Sequence, residues 1–263
     1  GMQPHSLVVL AADQVARAAA HVAAGLAEPA EVPVVVAESL PRFTGALDVV
    51  VAVGESPWLE RALVTADRRG ATTVLVGTVE EPPEDTLVID TLPTTQGRSP
   101  VRDIAALHAV HAVLSEDPEL VARRLEDVAD AVDREIEALS PQRDSTTNPG
   151  RALREFTEGG HVVHSSGPDA YLFSEERTRV SLGALVARMA GAVWAAHGLG
   201  GTVVDAEGLG PLVENAPRDI FYDPFESEEP LVPLKIVLWG QEEANLPHSF
   251  AAASADPESG DLA

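Results

Sequence analysis

Cysteine is missing from all 263 residues, which removes disulfides, thiolate catalysis and Cys-ligated zinc together. Basic residues are scarce: 18 Lys and Arg face 42 Asp and Glu, for a formal charge of -24, and Lys235 is the only lysine. A chain of that sign repels nucleic acid and anionic membrane surfaces, so neither is an expected partner. No apolar run approaches the roughly 18 residues of a membrane-spanning helix, and no basic segment followed by an apolar one opens the chain as a secretion signal would. A cytoplasmic protein is expected. The leading Gly1-Met2 reads as the remnant of an expression tag, and the 45% hydrophobic content is enough for real cores.

What the chain does have is valine and alanine in short blocks. Ser6 to Ala12, Val32 to Ala37, Asp48 to Val53, Thr72 to Gly77 and Thr86 to Asp90 read as strands. Asp13 to Ala27 and Trp58 to Arg69 carry apolar residues at helical spacing between them. Near-continuous apolar strands alternating with helices predict a parallel sheet covered on both faces. Asp103 to Leu114 and Pro118 to Leu139 read as two further helices.

Ser140 to Asn148 is polar, holds Pro141 and has no apolar residue, which marks it as a linker. The alternation then restarts. Asn148 caps a helix to about Glu158, His161 to Ser165 is a strand, Ser174 to His197 a long helix, Thr202 to Asp205 a short strand and Leu231 to Trp239 the last strand. The expected organisation is a first module over 1–139, a linker over 140–148, a second module over 149–250, and a disordered tail over 251–263.

Val51 to Leu63 (VAVGESPWLERAL) has the form of a strand, a small-residue loop and a helix start, the place where such folds put anions. It resembles the sugar-phosphate loop of SIS domains, Ile-Ala-Val-Ser-Tyr-Ser-Gly-Asn-Thr-Glu-Glu-Thr-Leu. The bifunctional phosphoglucose/phosphomannose isomerases and their actinobacterial relatives are the group it is most similar to. Pro100-Val101-Arg102, Asn148-Pro149 before Arg151-Ala152-Leu153, and His161 to Gly167 (HVVHSSG) resemble further segments of that group. The resemblance implies two flavodoxin-like SIS modules, α/β sandwiches with parallel sheets between helices, and a phosphosugar or sugar-nucleotide ligand. It implies no cofactor and no metal, and a homodimer is the expected assembly.

Departures from the family pattern fall on the chemistry. In the first loop Gly54 stands for the first serine and Leu59 for the threonine, so Ser56 alone keeps a hydroxyl, while Pro57 removes one backbone donor. Glu55 adds a carboxylate: at ~5 Å from a phosphate and an effective dielectric of ~20 it would repel by roughly 3 kcal/mol. That outweighs one neutral hydrogen bond of about 1 kcal/mol. Leu10 to Gln14 replaces a glycine-rich loop and adds Asp13. The second-half loop, Ser165, Ser166 and Gly167, keeps two hydroxyls and is the better anion site by sequence, with Arg177 or Arg179 as nearby cations. Gly54, Ser56, Arg102, Ser165, Ser166 and Gly167 are therefore the candidate ligand-binding residues.

Isomerisation needs a base between C1 and C2 and a ring-opening acid. The family's glutamate position falls on Leu182, and no carboxylate occurs between Glu176 and Asp205. Glu226 and His197 are the nearest substitutes; both also suit structural roles, His197 at a helix C-terminus. The pairs His108/His111 and His161/His164 lack a carboxylate spaced to complete a metal site, and Gly198 to Gly201 follows a helix where a dinucleotide fingerprint would follow a strand. The expected function is phosphosugar binding without turnover. The alternatives are an active sugar-phosphate isomerase and a ligand-free scaffold for an enzyme of mannose metabolism.

Overall fold

The computed structural model describes residues 4–91, 97–166, 181–214 and 232–240, and the backbone of a strand over 251–255. The chain divides into two compact units, Gly1–Asp130 and Ala131–Ala263. Ser140 to Asn148, expected as the linker, therefore lies inside the second unit. It is a hydrogen-bonded turn in which Asn148 Nδ2 donates to Ser140 O at 2.9 Å.

The first unit is built on β1 (Ser6–Ala11), β2 (Val34–Ala37), β3 (Asp48–Val53), β4 (Thr72–Val76) and β5 (Leu87–Ile89). These form one sheet in the order β2-β1-β3-β4-β5, with every pairing parallel. This is the flavodoxin-like order. Both faces are buried, as the unbroken apolar runs predict. Leu7, Val9, Ala11, Val49, Val51 and Val53 pack on one face with α1 (Gln14–Leu26) and α3 (Pro100–Ala112). Val8, Leu10, Val50 and Ala52 pack on the other with Leu59, Leu63 and Ala66 of α2 (Pro57–Arg68). At the N-terminal edge Ser6 Oγ donates to Asp48 Oδ1 at 2.7 Å, and Gly45 N donates to Asp48 Oδ2 at 2.9 Å, so the buried carboxylate is satisfied.

One helix begins earlier than expected. The segment read from Asp103 starts at Pro100, with Ser99 as N-cap and proline at the first helical position, where its missing N–H costs nothing. The charged helix α4 (Pro118–Ala138) follows.

The second unit carries α5 (Pro149–Thr157), β6 (His161–Ser166), α6 (Leu182–Ala196), β7 (Thr202–Val203), α7 (Ala206–Glu214), β8 (Leu234–Trp239) and β9 (Ala251–Ala255). Its strands form a second all-parallel sheet, β7-β6-β8-β9. Val163, Ile236 and Leu238 pack with Leu209 and Val213 of α7. The single lysine is structural: Lys235 Nζ donates to Phe156 O at the end of α5 and lies over the Phe156 ring.

Three readings of this half change. The long helix expected from Ser174 is α6, which begins at Leu182; residues 174–180 lie outside the described part. Helix α7 went unread because Gly208, Gly210 and Pro211 are poor helix formers, and its contacts with the sheet override that preference. The tail expected to be disordered supplies β9, with Ala251 opposite Lys235 and Ala255 opposite Trp239.

The loop after β3 is held by a close backbone approach. Gly54 N donates to Val76 O at 2.8 Å, and a Cβ on Gly77 (φ +131) would meet Gly54 O at 2.5 Å. Gly77→Ala is expected to cost about 3 kcal/mol, from positive-φ strain plus the clash. Gly159→Ala (φ +71), where a Cβ meets nothing within 4 Å, should cost only about 1 kcal/mol. Urea denaturation of the two variants checks the difference; equal costs would mean that the approach to Gly54 is not a constraint.

Candidate functional site

Strand order reverses between β1 and β3, since the chain leaves β1 for β2 on one side and returns to β3 on the other. The loops that follow β1 and β3 must therefore part, and a crevice opens at the carboxyl ends of the strands. Here it is a cleft of about 250 Å³ lined by Asp13, Ala16, Gly54, Glu55, Gly97, Arg98, Arg102 and Asp103. Helices α1, α2 and α3 all begin from this side of the sheet, where helix N-termini favour negative charge.

Each helix start is handled differently. Asp13 is the N-cap of α1: its Oδ1 accepts from Val15 N at 2.8 Å and from Ala16 N at 3.0 Å, and its Oδ2 accepts from Arg98 Nε at 2.8 Å. Partial burial works against this carboxylate, but the amides and the guanidinium outweigh it and hold the carboxyl below its ordinary range. Ser56 is the N-cap of α2, yet its hydroxyl makes no capping bond, and Ser56 is not among the residues that line the cleft.

At α3, Ser99 Oγ accepts from Arg102 N at 3.4 Å, and Asp103 occupies the first turn. The Asp103 side chain is 3% exposed, and its Oδ1 takes both Arg102 Nε (3.1 Å) and Nη2 (2.9 Å). Burial pushes the Asp103 carboxyl up; Arg102 opposes this, and the charge of Asp13 adds to it.

Of the residues nominated from sequence, the structure thus brings Gly54 and Arg102 to one crevice, together with Asp13, Glu55, Arg98 and Asp103. Arg98 was missed. It lies 85 positions from its partner Asp13, and no local motif marks it.

The second-half nominations fare differently. Ser165 and Ser166 are not loop residues; they end strand β6, with 0% and 3% exposure. Ser165 Oγ donates to Val204 O at 2.7 Å, so that hydroxyl is spent within the fold. Gly167, Arg177 and Arg179 lie outside the described residues, as does Glu226. Leu182, at the expected base position, opens α6, capped by Ser181 Oγ accepting from Ala184 N at 3.1 Å. His197 is the C-cap of α6, with Nδ1 2.8 Å from Val193 O.

Of the other histidines, His111 lies 3.4 Å from Val32 O and His161 lies 3.2 Å from Thr202 Oγ1, while His108, its pKa lowered by burial, has a buried Nδ1 with no hydrogen-bond partner among the described residues. Among the described residues there is no cluster of His, Asp and Glu able to hold a metal, and no helix is long and apolar enough to cross a membrane.

His164, weighed from sequence only as half of a histidine pair, is fully buried in β6. Trp239 Nε1 donates to its Nδ1 at 3.3 Å, which places the imidazole proton on Nε2, and Trp194 meets the ring edge-on at 4.8 Å. Nε2 has no hydrogen-bond partner among the described residues. Gly201 lies beside the ring, where a Cβ would be in ordinary contact with Nε2 at 3.4 Å.

No family model and no curated protein sequence matches the chain. Solved structures do. The C-terminal domain of glucosamine-fructose-6-phosphate aminotransferase from Francisella tularensis superposes with a TM-score of 0.58 at 12% identity, over 91% of this chain and 66% of that one. Tagatose-6-phosphate ketose/aldose isomerase from Escherichia coli superposes with a TM-score of 0.54 at 12% identity, over 90% and 63%. The chain thus spans slightly less than two thirds of the length of these neighbours. The likeness is one of fold: parallel sheets flanked by helices.

Burial lowers the pKa of His164 from 6.5 to about 4. The unfolded chain therefore binds the proton between those values and the folded chain does not. The stability is present above pH 6.5 and is lost as pH falls towards 4, by at most about 3 kcal/mol. His164→Gln, which offers Trp239 an acceptor but does not titrate, should lose less stability than the parent between pH 7 and pH 5. Urea unfolding followed by tryptophan fluorescence measures this; parallel losses in the two proteins would show that His164 does not titrate as described.

Proposed function

We propose that the protein binds a phosphosugar in the crevice of the first sheet and does not isomerise it. The carrying observation is the crevice itself, set where β1 and β3 part and lined by two guanidinium groups, Arg98 and Arg102, in a chain with few cations. Two arginines beside helix N-termini are the donors a phosphate monoester needs. The sequence motifs at Val51–Leu63, Pro100–Arg102 and Asn148–Leu153 support a kinship with phosphoglucose/phosphomannose isomerases, and with it a cytoplasmic homodimer. Absence of turnover is argued from Leu182 at the base position and from His197 tied to its own helix.

A second reading, an active aldose-ketose isomerase, draws on one observation. Asp103 is a crevice carboxyl whose pKa is raised by burial, and perturbed carboxyls in clefts are candidates for proton transfer. The ligand-free scaffold is disfavoured by a crevice so lined.

Calorimetry with glucose 6-phosphate against glucose is the test. Binding should require the phosphate and should weaken by about 1 to 2 kcal/mol in Arg98→Ala. It should strengthen by about 1 to 3 kcal/mol in Glu55→Ser, which removes a repelling carboxylate. Equal affinity for glucose, or indifference to both substitutions, would sink the proposal. For turnover, exchange at C2 of fructose 6-phosphate in deuterated water should stay at the uncatalysed rate. Enzyme-like exchange that disappears in Asp103→Asn would establish the isomerase instead.

A further inference from the structure

Asp13 holds an unusual position for a capping residue. Its two carboxylate oxygens accept three hydrogen bonds, two from the first amides of α1 and one from Arg98, and the residue lines the crevice. Helix amides and a guanidinium are also the donor set that a phosphate oxygen pair takes at a helix N-terminus. The chain thus places its own anion on the donors that an anionic ligand would use.

The charges around it agree. Asp13, Glu55 and Asp103 bring three carboxylates to the crevice against two guanidiniums, and Arg102 is engaged with Asp103. Arg98 is the cation whose partner can be exchanged: its side chain is 60% exposed, and Nε is the atom bonded to Asp13. An arriving phosphate would have to take Arg98 from Asp13 and accept that carboxylate as a neighbour.

We propose that Asp13 determines the ligand specificity of the crevice by acting as an internal competitor for Arg98, so that a phosphate group binds there only against the Asp13 carboxylate. This rests on the crevice being the ligand site. It adds that phosphate affinity at the crevice is held down by one residue. The exchange is one of ion-pair partners, with no covalent step.

Asparagine caps helices as well as aspartate does, and serine nearly so, so both replacements retain the α1 cap while removing the charge. The test is calorimetric titration of the full chain with inorganic phosphate at low ionic strength. Asp13→Asn and Asp13→Ser should bind at least about tenfold more tightly than the parent. Adding Arg98→Ala to Asp13→Asn should abolish the gain. Asp85→Asn, which makes the same change in net charge at an exposed site away from the crevice, should leave affinity unchanged. Urea midpoints confirm that the variants are folded.

No gain in either Asp13 variant, an equal gain in Asp85→Asn, or a gain that survives Arg98→Ala would overturn the proposal. The outcome is separable from that of phosphosugar binding. Tight glucose 6-phosphate binding by the parent with no effect at Asp13 refutes the competitor alone. A gain for inorganic phosphate in a protein that ignores glucose 6-phosphate refutes the phosphosugar reading alone.

Discussion

The parallel register between β1 and β3, from Ser6 opposite Asp48 to Ala11 opposite Val53, is the constraint on which the first unit depends. It puts two fully buried strands at the centre of the sheet, so alternate residues must satisfy two different cores, and valine, leucine and alanine do so on both faces. It also places β1 between β2 and β3, which forces the following loops apart. The crevice is a consequence of that connectivity. The close approach of Gly77 to Gly54 then sets how far the β3 loop can move.

Electrostatics decides what the crevice can hold. In a chain of charge -24, cations are scarce, and the structure sends Arg98 and Arg102 to one place. Each is met there by a carboxylate, one stabilised as the anion and one pushed towards its neutral form by burial. The pairs differ in accessibility. Asp103 and Arg102 are close to solvent-free, where breaking an ion pair leaves an uncompensated charge and is costly. Asp13 and Arg98 are partly exposed, where an ion pair contributes little and its partners can be exchanged.

The second unit repeats the parallel-sheet plan but invests its polar groups in the core. Ser165 bonds to Val204 O, and His164 stands neutral between two tryptophans beside Gly201. A strand read from its sequence as leading into an anion loop instead uses its hydroxyl to fasten the chain after β7. This is a structural use of residue types that in another setting would meet a ligand.

Much of the architecture was legible because a buried parallel strand must be apolar throughout and a helix beside it must be apolar on one face. The five strands of the first sheet and most helices follow from that requirement at the level of single segments. The same holds for caps with local mechanisms, such as Asn148 Oδ1 accepting from Arg151 N at 3.0 Å.

What was not legible depends on partners distant in the chain. Asp13 and Arg98 are 85 residues apart, and nothing near either predicts the pair. Ser165 and Ser166 look like loop hydroxyls until β8 extends alongside β6 through Trp239 and buries them. Helix α7 and strand β9 have sequences that disfavour or ignore regular structure, and only packing against the second sheet and pairing with β8 create them. Local periodicity and capping are properties of neighbouring residues, so the sequence by itself determined most of the elements. Burial and ion pairing are properties of residues brought together by topology, so tertiary structure alone decided which side chains face the crevice and which are consumed by the core.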